Sequence, residues 1–256
     1  MLEELGAEVF TIGVEPNGRN INAGCGSLHP EQVAARVREV RADVGIALDG
    51  DADRVVMTDE NGTIIDGDQL LALCARDMHE RGVLRGDQIV ATVMSNLGLE
   101  RALESVGLGL VRTQVGDRHV VAAMRKGGFN LGGEQSGHLI FLDHNTSGDG
   151  LITALQALAI IRRRERSLSE LTSDFVRYPQ VLLNIAVAEK RPIETLPGFS
   201  QAVNRVEKEL NGRGRVLIRY SGTEPKARIM VEGEDEAQVG EYAQDLAQQL
   251  LRALGG

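Results

Sequence analysis

No window of this sequence approaches the run of about 18 apolar residues that a membrane-spanning helix requires, so no membrane partner is expected. The opening Met-Leu-Glu-Glu-Leu has neither a basic region nor an apolar one, so no signal peptide is read there. Cysteine is scarce. Cys25 and Cys74 stand alone, without the spacing of a zinc or redox motif, and are expected to be unpaired, partly buried thiols in a reducing cytoplasm. Basic residues are also in deficit, 28 Lys and Arg against 37 Asp and Glu, a formal charge of −9. That balance disfavours nucleic acid as the main partner, because a phosphate backbone needs a basic face. An anionic ligand must then be held locally, by a few arginines and backbone N–H groups. Internal repeats and low-complexity tracts are likewise absent.

The chain does have enough apolar material, 42% of 256 residues, for two or three ordinary cores. Leu2 to Gly6 reads as the last turn of a helix ending at a glycine, and Ala7 to Ile12 as a strand. A helix without its first turns predicts a native unit that starts earlier. Pro30 opens a helix with Val33, Val37 and Val40 at helical spacing. Val44 to Leu48 is a strand running into an acidic loop, and Arg54 to Thr58 returns from it. Asp66-Gly67-Asp68 marks a domain boundary, with Asp68 capping a helix that ends near Gly82.

Strands and helices then alternate. Gln88 to Met94 and Gly109 to Thr113 read as strands, Leu99 to Val106 and Arg118 to Lys126 as helices. Phe129 to Leu131 and Leu139 to Leu142 flank a glycine-rich loop, and Asp149 to Glu165 is a long helix. This rhythm predicts a layered α/β domain on a largely parallel sheet. From Pro179 it changes to a strand (Val181 to Val187), a helix (Ser200 to Leu210), two strands (Arg215 to Arg219, Ala227 to Glu232) and a final amphipathic helix. That is the pattern of a small α+β domain. The expected division is residues 1–66, 67–178 and 179–256.

Three loops carry chemistry. In Asp49-Gly50-Asp51-Ala52-Asp53-Arg54, alternate carboxylates converge if the loop is extended, and hard oxygens of this kind suit Mg²⁺ or Ca²⁺. A solvated acidic turn is the plain alternative. An EF-hand is disfavoured because its sixth position needs glycine and here is Arg54. A haloacid-dehalogenase-type phosphatase is disfavoured by Asp53 and by the lack of a later Gly-Asp-x-x-x-Asp pattern. In Gly132-Gly133-Glu134-Gln135-Ser136-Gly137-His138, Glu134, Ser136 and His138 alternate; they offer acceptors for sugar hydroxyls and an imidazole able to move a proton. An ordinary hairpin loop competes with that reading. In Arg219-Tyr220-Ser221-Gly222-Thr223-Glu224-Pro225, followed by Arg228, guanidinium, hydroxyl and backbone donors could grip a phosphate; a hairpin turn with exposed arginines is the alternative.

Taken in this order and at these spacings, the three loops resemble the α-D-phosphohexomutase superfamily over essentially the whole chain. Glu15-Pro16-Asn17-Gly18, Val115-Gly116-Asp117-Arg118 and Asn145-Thr146-Ser147-Gly148-Asp149-Gly150 look like its phosphoglucosamine mutase branch, with the phosphomannomutase/phosphoglucomutase branch as near rival. The resemblance implies a four-domain enzyme whose loops line one cleft. It interconverts glucosamine 6-phosphate and glucosamine 1-phosphate for cell-wall precursors, through a phosphoserine and a bisphosphate intermediate. It further implies Asp49, Asp51 and Asp53 as Mg²⁺ ligands, with Arg54 offsetting their charge. Glu134, Ser136 and His138 would contact the hexosamine phosphate, His138 as proton carrier. Arg219, Ser221, Gly222, Thr223 and Arg228 would hold the non-reacting phosphate. The family's serine loop, resembling Ala-Ser-His-Asn-Pro, has no counterpart here. The expectation is therefore a chain carrying part of the second domain and all of the third and fourth, inactive alone, whose partner is the rest of the same protein. Ser147 superficially resembles a nucleophile but matches a segment that opens a third-domain helix.

Overall fold

The computed structural model describes residues 1–222 and 224–254 and divides into two compact units. One holds Met1–Ser95 and Leu99–Phe175; the other holds Val176–Gly256 together with Asn96–Gly98.

The first unit opens with a single 3-10 turn, Glu3–Leu5, closed by Gly6 at φ +86°. Ala7 to Ile12, expected as a strand, forms none, because no strand lies beside it among the described residues to complete a ladder. Helix α1 (Pro30–Val40) starts on its proline and buries Ala34 and Val37. It packs on an antiparallel sheet of β1 (Val44–Leu48), β2 (Val55–Asp59) and the short β3 (Ile64–Ile65), in that order. Leu48 is paired with Val55, so the acidic loop is the connection of a β-hairpin.

Helix α2 (Gly67–Glu80) is buried from Leu70 through Ala75, the pattern of a helix enclosed on several sides. Its cap is Asp66 and not Asp68. Asp66 is extended and accepts the Gln69 N–H, while the Gln69 side chain accepts the Asp66 N–H in return. Asp68 lies one step inside the helix, fully buried.

A four-stranded sheet follows in the order β5 (Gly109–Thr113), β4 (Gln88–Thr92), β6 (Leu131–Gly133), β7 (Leu139–Phe141). The first three strands are parallel, as the alternation predicts. β7 is antiparallel, because the glycine-rich loop joining it to β6 is too short for a crossover. Side chains alternate across the sheet. Ile89, Ala91, Leu131 and Leu139 join the core formed with α2 and α5 (Gly150–Arg164), together with Leu99 and Leu103 of α3 (Leu97–Glu104). Val90 and Ile140 meet Val120 and Met124 of α4 (Asp117–Gly127) on the other face. A short α6 (Leu168–Thr172), not expected from the sequence, carries its own capping box between Ser167 and Glu170.

The second unit is an antiparallel sheet with β10 (Lys226–Gly233) between β8 (Gln180–Ala186) and β9 (Gly214–Tyr220). Helices α7 (Phe199–Leu210) and α8 (Glu236–Leu254) cover one face. Phe199, Val206, Leu210, Val239, Ala243, Leu246 and Leu250 pack there against Ala227, Ile229 and Val231. This two-layer arrangement matches the expected α+β domain. No helix among the described residues is long and apolar enough to cross a membrane.

Candidate functional site

The hairpin between β1 and β2 turns sharply instead of running extended. Ala52 takes φ +60°, its N–H donates to the Asp49 carbonyl at 3.1 Å, and the Asp49 N–H donates to the Arg54 carbonyl at 3.3 Å. The three aspartates converge nonetheless. One oxygen each from Asp49, Asp51 and Asp53 fall within 4.8 Å of one another. Asp49 is the buried member, its side chain 1% exposed, and is balanced by Arg54 on two sides. The Arg54 N–H donates to Oδ1 at 3.1 Å, and its Nη2 lies 2.7 Å from Oδ2. Burial by itself would raise the Asp49 pKa; the Arg54 N–H, then the guanidinium charge, outweigh it and hold the carboxyl below its ordinary value. Arg54 Nε also donates to Asp53 Oδ1 at 3.3 Å.

Two further loops lean on this hairpin. The Val55 N–H donates to the Gly137 carbonyl at 3.0 Å, and the Gly150 N–H to the Ala52 carbonyl at 2.9 Å. Gly137 is obligatory twice over. It sits at φ +93°, and a Cβ there would lie 2.1 Å from the Val55 carbonyl oxygen. Its N–H closes a turn on the Glu134 carbonyl at 3.0 Å.

That turn corrects the picture of Glu134, Ser136 and His138 facing one way. The Ser136 hydroxyl donates to Glu134 Oε2 at 3.3 Å, and Glu134 Oε1 accepts the Gly116 N–H at 2.9 Å. His138 is instead buried, with Nδ1 3.1 Å from Asp53 Oδ2. A Cβ on Gly148 would come within 2.3 Å of its ring, so that glycine lets the loop before α5 close over the imidazole. Asp149, next along, caps α5 by accepting the Leu151 and Ile152 N–H groups, each at 2.9 Å. The acidic triad, Arg54 and His138 thus form one connected cluster; Glu134 and Ser136 form a second pair, tied to the Val115–Arg118 segment. Sequence spacing read that segment only as a branch marker.

The chemistry of the donors fits a hard divalent cation. Three carboxylates supply oxygen ligands around a common point, and Asp49 Oδ2, although in ion contact with Arg54, accepts no aligned hydrogen bond among the described residues. Both cysteines are free; burial first, and the nearby Asp77 charge second, push the Cys74 thiol up to about 12, leaving it an inert core side chain.

In the second unit, Arg219 and Arg228 are cross-strand partners, and Ser221 is 4% exposed at the end of β9. Ser221 Oγ accepts the Glu224 N–H at 3.2 Å. Burial, and then the Arg228 charge, lower the Arg219 pKa. Thr223, expected as a further phosphate donor, lies outside the described residues. Three side chains to which motif reading gave no role, Glu224, Lys226 and Lys190, crowd the loop. Glu224 contacts Lys226 at 2.6 Å and Arg228 at 3.4 Å, and Lys190 donates to the Ser221 carbonyl at 2.6 Å. Lys190 is 31 positions away in sequence, and only strand pairing brings it there.

Residues 66–178 match the model of the phosphoglucomutase/phosphomannomutase alpha/beta/alpha domain III, and residues 182–249 match that of the C-terminal domain of the same family. The chain belongs to the phosphohexomutase family. A phosphoglucosamine mutase of Citrifermentans bemidjiense is 56% identical over 256 residues, 100% of this chain and 56% of the relative. One of Desulfovibrio desulfuricans is 59% identical over 253 residues, 99% of this chain and again 56% of the relative. The chain therefore spans about half the length of the curated relatives it matches. A solved phosphoglucomutase/phosphomannomutase family protein from Burkholderia thailandensis superposes with a TM-score of 0.79, over 99% of this chain and 57% of its own. At 24% identity, that likeness speaks for the phosphohexomutase fold alone.

Proposed function

We propose that this chain is the larger part of a phosphoglucosamine mutase, which interconverts glucosamine 6-phosphate and glucosamine 1-phosphate in the cytoplasm for cell-wall amino-sugar nucleotides. The observation that carries the reading is the acidic triad held against Arg54 and His138, in a chain more than half identical to curated phosphoglucosamine mutases. Residues 1–66 would be part of the family's second domain, 67–178 its third and 179–256 its fourth.

Asp49, Asp51 and Asp53 would hold Mg²⁺, which when bound would offset the charge on phosphoryl oxygens and leave the phosphorus more open to attack. Arg54 keeps the triad from carrying its full negative charge while the ion is away. His138, fixed on Asp53, is the titratable group that would move a proton at the sugar hydroxyl. Glu134 and Ser136 offer an acceptor and a hydroxyl to the sugar. Arg219, Ser221, Gly222, Thr223 and Arg228 would bind the phosphate that does not react. In phosphoryl transfer such positioning and charge stabilisation contribute most of the acceleration.

The phosphoryl donor would be a serine in the part of the protein that precedes this chain. The decisive assay joins the chain to its upstream coding segment and offers glucosamine 6-phosphate, glucose 6-phosphate and mannose 6-phosphate with Mg²⁺ and a bisphosphate activator. Preferred turnover of the amino sugar is expected. Preference for mannose or glucose phosphate would move the chain to the phosphomannomutase/phosphoglucomutase branch, and binding without turnover would make it a sugar-phosphate-binding module.

A further inference from the structure

The phosphate loop is held from outside by a residue no motif contains. Past the last ladder pair of β8 and β10, Lys226 with Ala186, the Val187 N–H still donates to the Pro225 carbonyl at 3.0 Å. The chain after β8 therefore runs beside the loop, and the Lys190 ammonium reaches the Ser221 carbonyl at 2.6 Å, a short, charge-assisted bond.

Ser221 is tied at three points. Its N–H donates to the Lys226 carbonyl at 2.8 Å and its Oγ accepts the Glu224 N–H at 3.2 Å, both within the loop. Among the described residues, its carbonyl alone is tied from elsewhere. In a trans peptide the carbonyl and the following N–H point to opposite sides. Holding the Ser221 carbonyl toward Lys190 therefore turns the Gly222 N–H away from it. The Gly222 Cα faces open space, since a Cβ built there would meet no atom within 4 Å among the described residues. A glycine peptide with open space around it rotates easily unless a hydrogen bond holds it.

We propose that Lys190 is a positioning residue of the phosphate loop, fixing the Ser221–Gly222 peptide so that the Gly222 N–H is presented to the bound phosphate. The inference rests on the phosphate-site reading above. It assigns the loop a backbone donor that is aimed by a side chain, where a flipped peptide would turn a carbonyl dipole toward an anion.

The test is a titration of the ¹⁵N-labelled 256-residue chain with inorganic phosphate, following the Ser221 and Gly222 amides. Lys190 is exposed, so Lys190→Met should fold with an unchanged melting temperature in the absence of phosphate. It should bind phosphate about tenfold more weakly and lose the large Gly222 amide shift at saturation, while Lys190→Arg, which can still donate to the carbonyl, restores most of both. An unchanged dissociation constant in Lys190→Met overturns the proposal. So does weaker binding with the Gly222 shift intact at saturation, which would leave Lys190 a charge and not a positioner. If the unsubstituted chain shows no phosphate-dependent shift at Ser221 or Gly222, the phosphate-site reading fails first and this inference falls with it.

Discussion

Arg219 and Arg228 stand directly opposite each other on β9 and β10, two guanidinium groups in one cross-strand pair. Like charges so placed destabilise a sheet unless something negative lies between or beside them. An anion that binds there should therefore stabilise the fold. Phosphate at a hundredfold excess over its dissociation constant is worth about 2.7 kcal/mol by mass action. Thermal unfolding in phosphate or sulfate should show a rising melting temperature for the unsubstituted chain. In Arg219→Ala the rise should vanish, while the anion-free protein stays as stable as before or becomes more so. A rise that persists in that variant would put the anion elsewhere.

Glu224 is the loop's own carboxylate and holds Lys226 at 2.6 Å and Arg228 at 3.4 Å. The Lys226 hydrogen bond, then the Lys226 charge, lower its pKa, so it is ionised at neutral pH. An incoming phosphate must compete with it for Arg228. Glu224→Gln is expected to bind inorganic phosphate several-fold more tightly, with the gain shrinking as salt screens the exposed charges. Weaker binding would mean that Glu224 orders the loop more than it occupies it.

Much of this was legible in the chain, and the failures have particular causes. The acidic loop is legible because it follows an apolar run, Val44–Leu48 before Asp49, whereas the glycine-rich loop follows only Leu131–Gly133 and is marked by its own glycines. Sequence places the cap two residues late, at Asp68, because Asp66 and Asp68 are chemically equivalent candidates; the reciprocal bond with Gln69 decides between them. Period-two spacing groups His138 with Glu134 and Ser136, a rule that holds only while the backbone stays extended. Gly137 at φ +93° ends that extension and sends the imidazole to Asp53. Lys190 had no local signal at all, since its partner is set by strand register.

Asp49 gives a pH signature of defined sign. Its folded pKa lies below the unfolded value of about 3.9. A depressed carboxyl contributes stability that is complete above the unfolded pKa and is lost as pH falls through the folded one. Acid unfolding should accordingly steepen below about pH 4, and Asp49→Asn should flatten that limb. Arg54→Met removes the guanidinium but keeps the backbone N–H. It should shrink the acid limb, because the folded pKa returns toward the unfolded one, and cost roughly 1–3 kcal/mol at neutral pH, because Asp49 stays buried with less compensation. Denaturant melts at a series of pH values measure both.

Gly148 tests whether the loop before α5 sets the His138–Asp53 contact. A Cβ there would meet the imidazole at 2.3 Å, well inside van der Waals contact, and the buried ring has little room to yield. Gly148→Ala should destabilise the first unit by about 1–3 kcal/mol, the usual cost of overpacking. It should also shift the His138 ring resonances, while leaving phosphate binding at Arg219 unaltered. Ring resonances unchanged from the unsubstituted chain would show that the loop relaxes without moving the histidine.

The chain by itself should not turn over glucosamine 6-phosphate. Phosphoryl transfer needs a donor group in line with the acceptor hydroxyl, and positioning alone cannot replace it. The hydroxyl nearest in pattern to a nucleophile loop is Ser147, between Thr146 and Gly148, just ahead of the residue that caps α5. The adjacent loop is engaged in structure: Asp149 holds the first turn of α5 and Gly148 packs on His138. With glucosamine 6-phosphate, Mg²⁺ and a bisphosphate activator, product should stay at background for the 256-residue chain. Mg²⁺ itself should bind weakly, with a dissociation constant well above micromolar, because three aspartates leave half of its octahedral shell to water. Adding the upstream segment, in cis or as a separately folded chain, should restore turnover and tighten the metal together. Activity in the chain alone that disappears in Ser147→Ala would reassign that loop as the donor; activity that survives the substitution would require a donor among residues given other roles here.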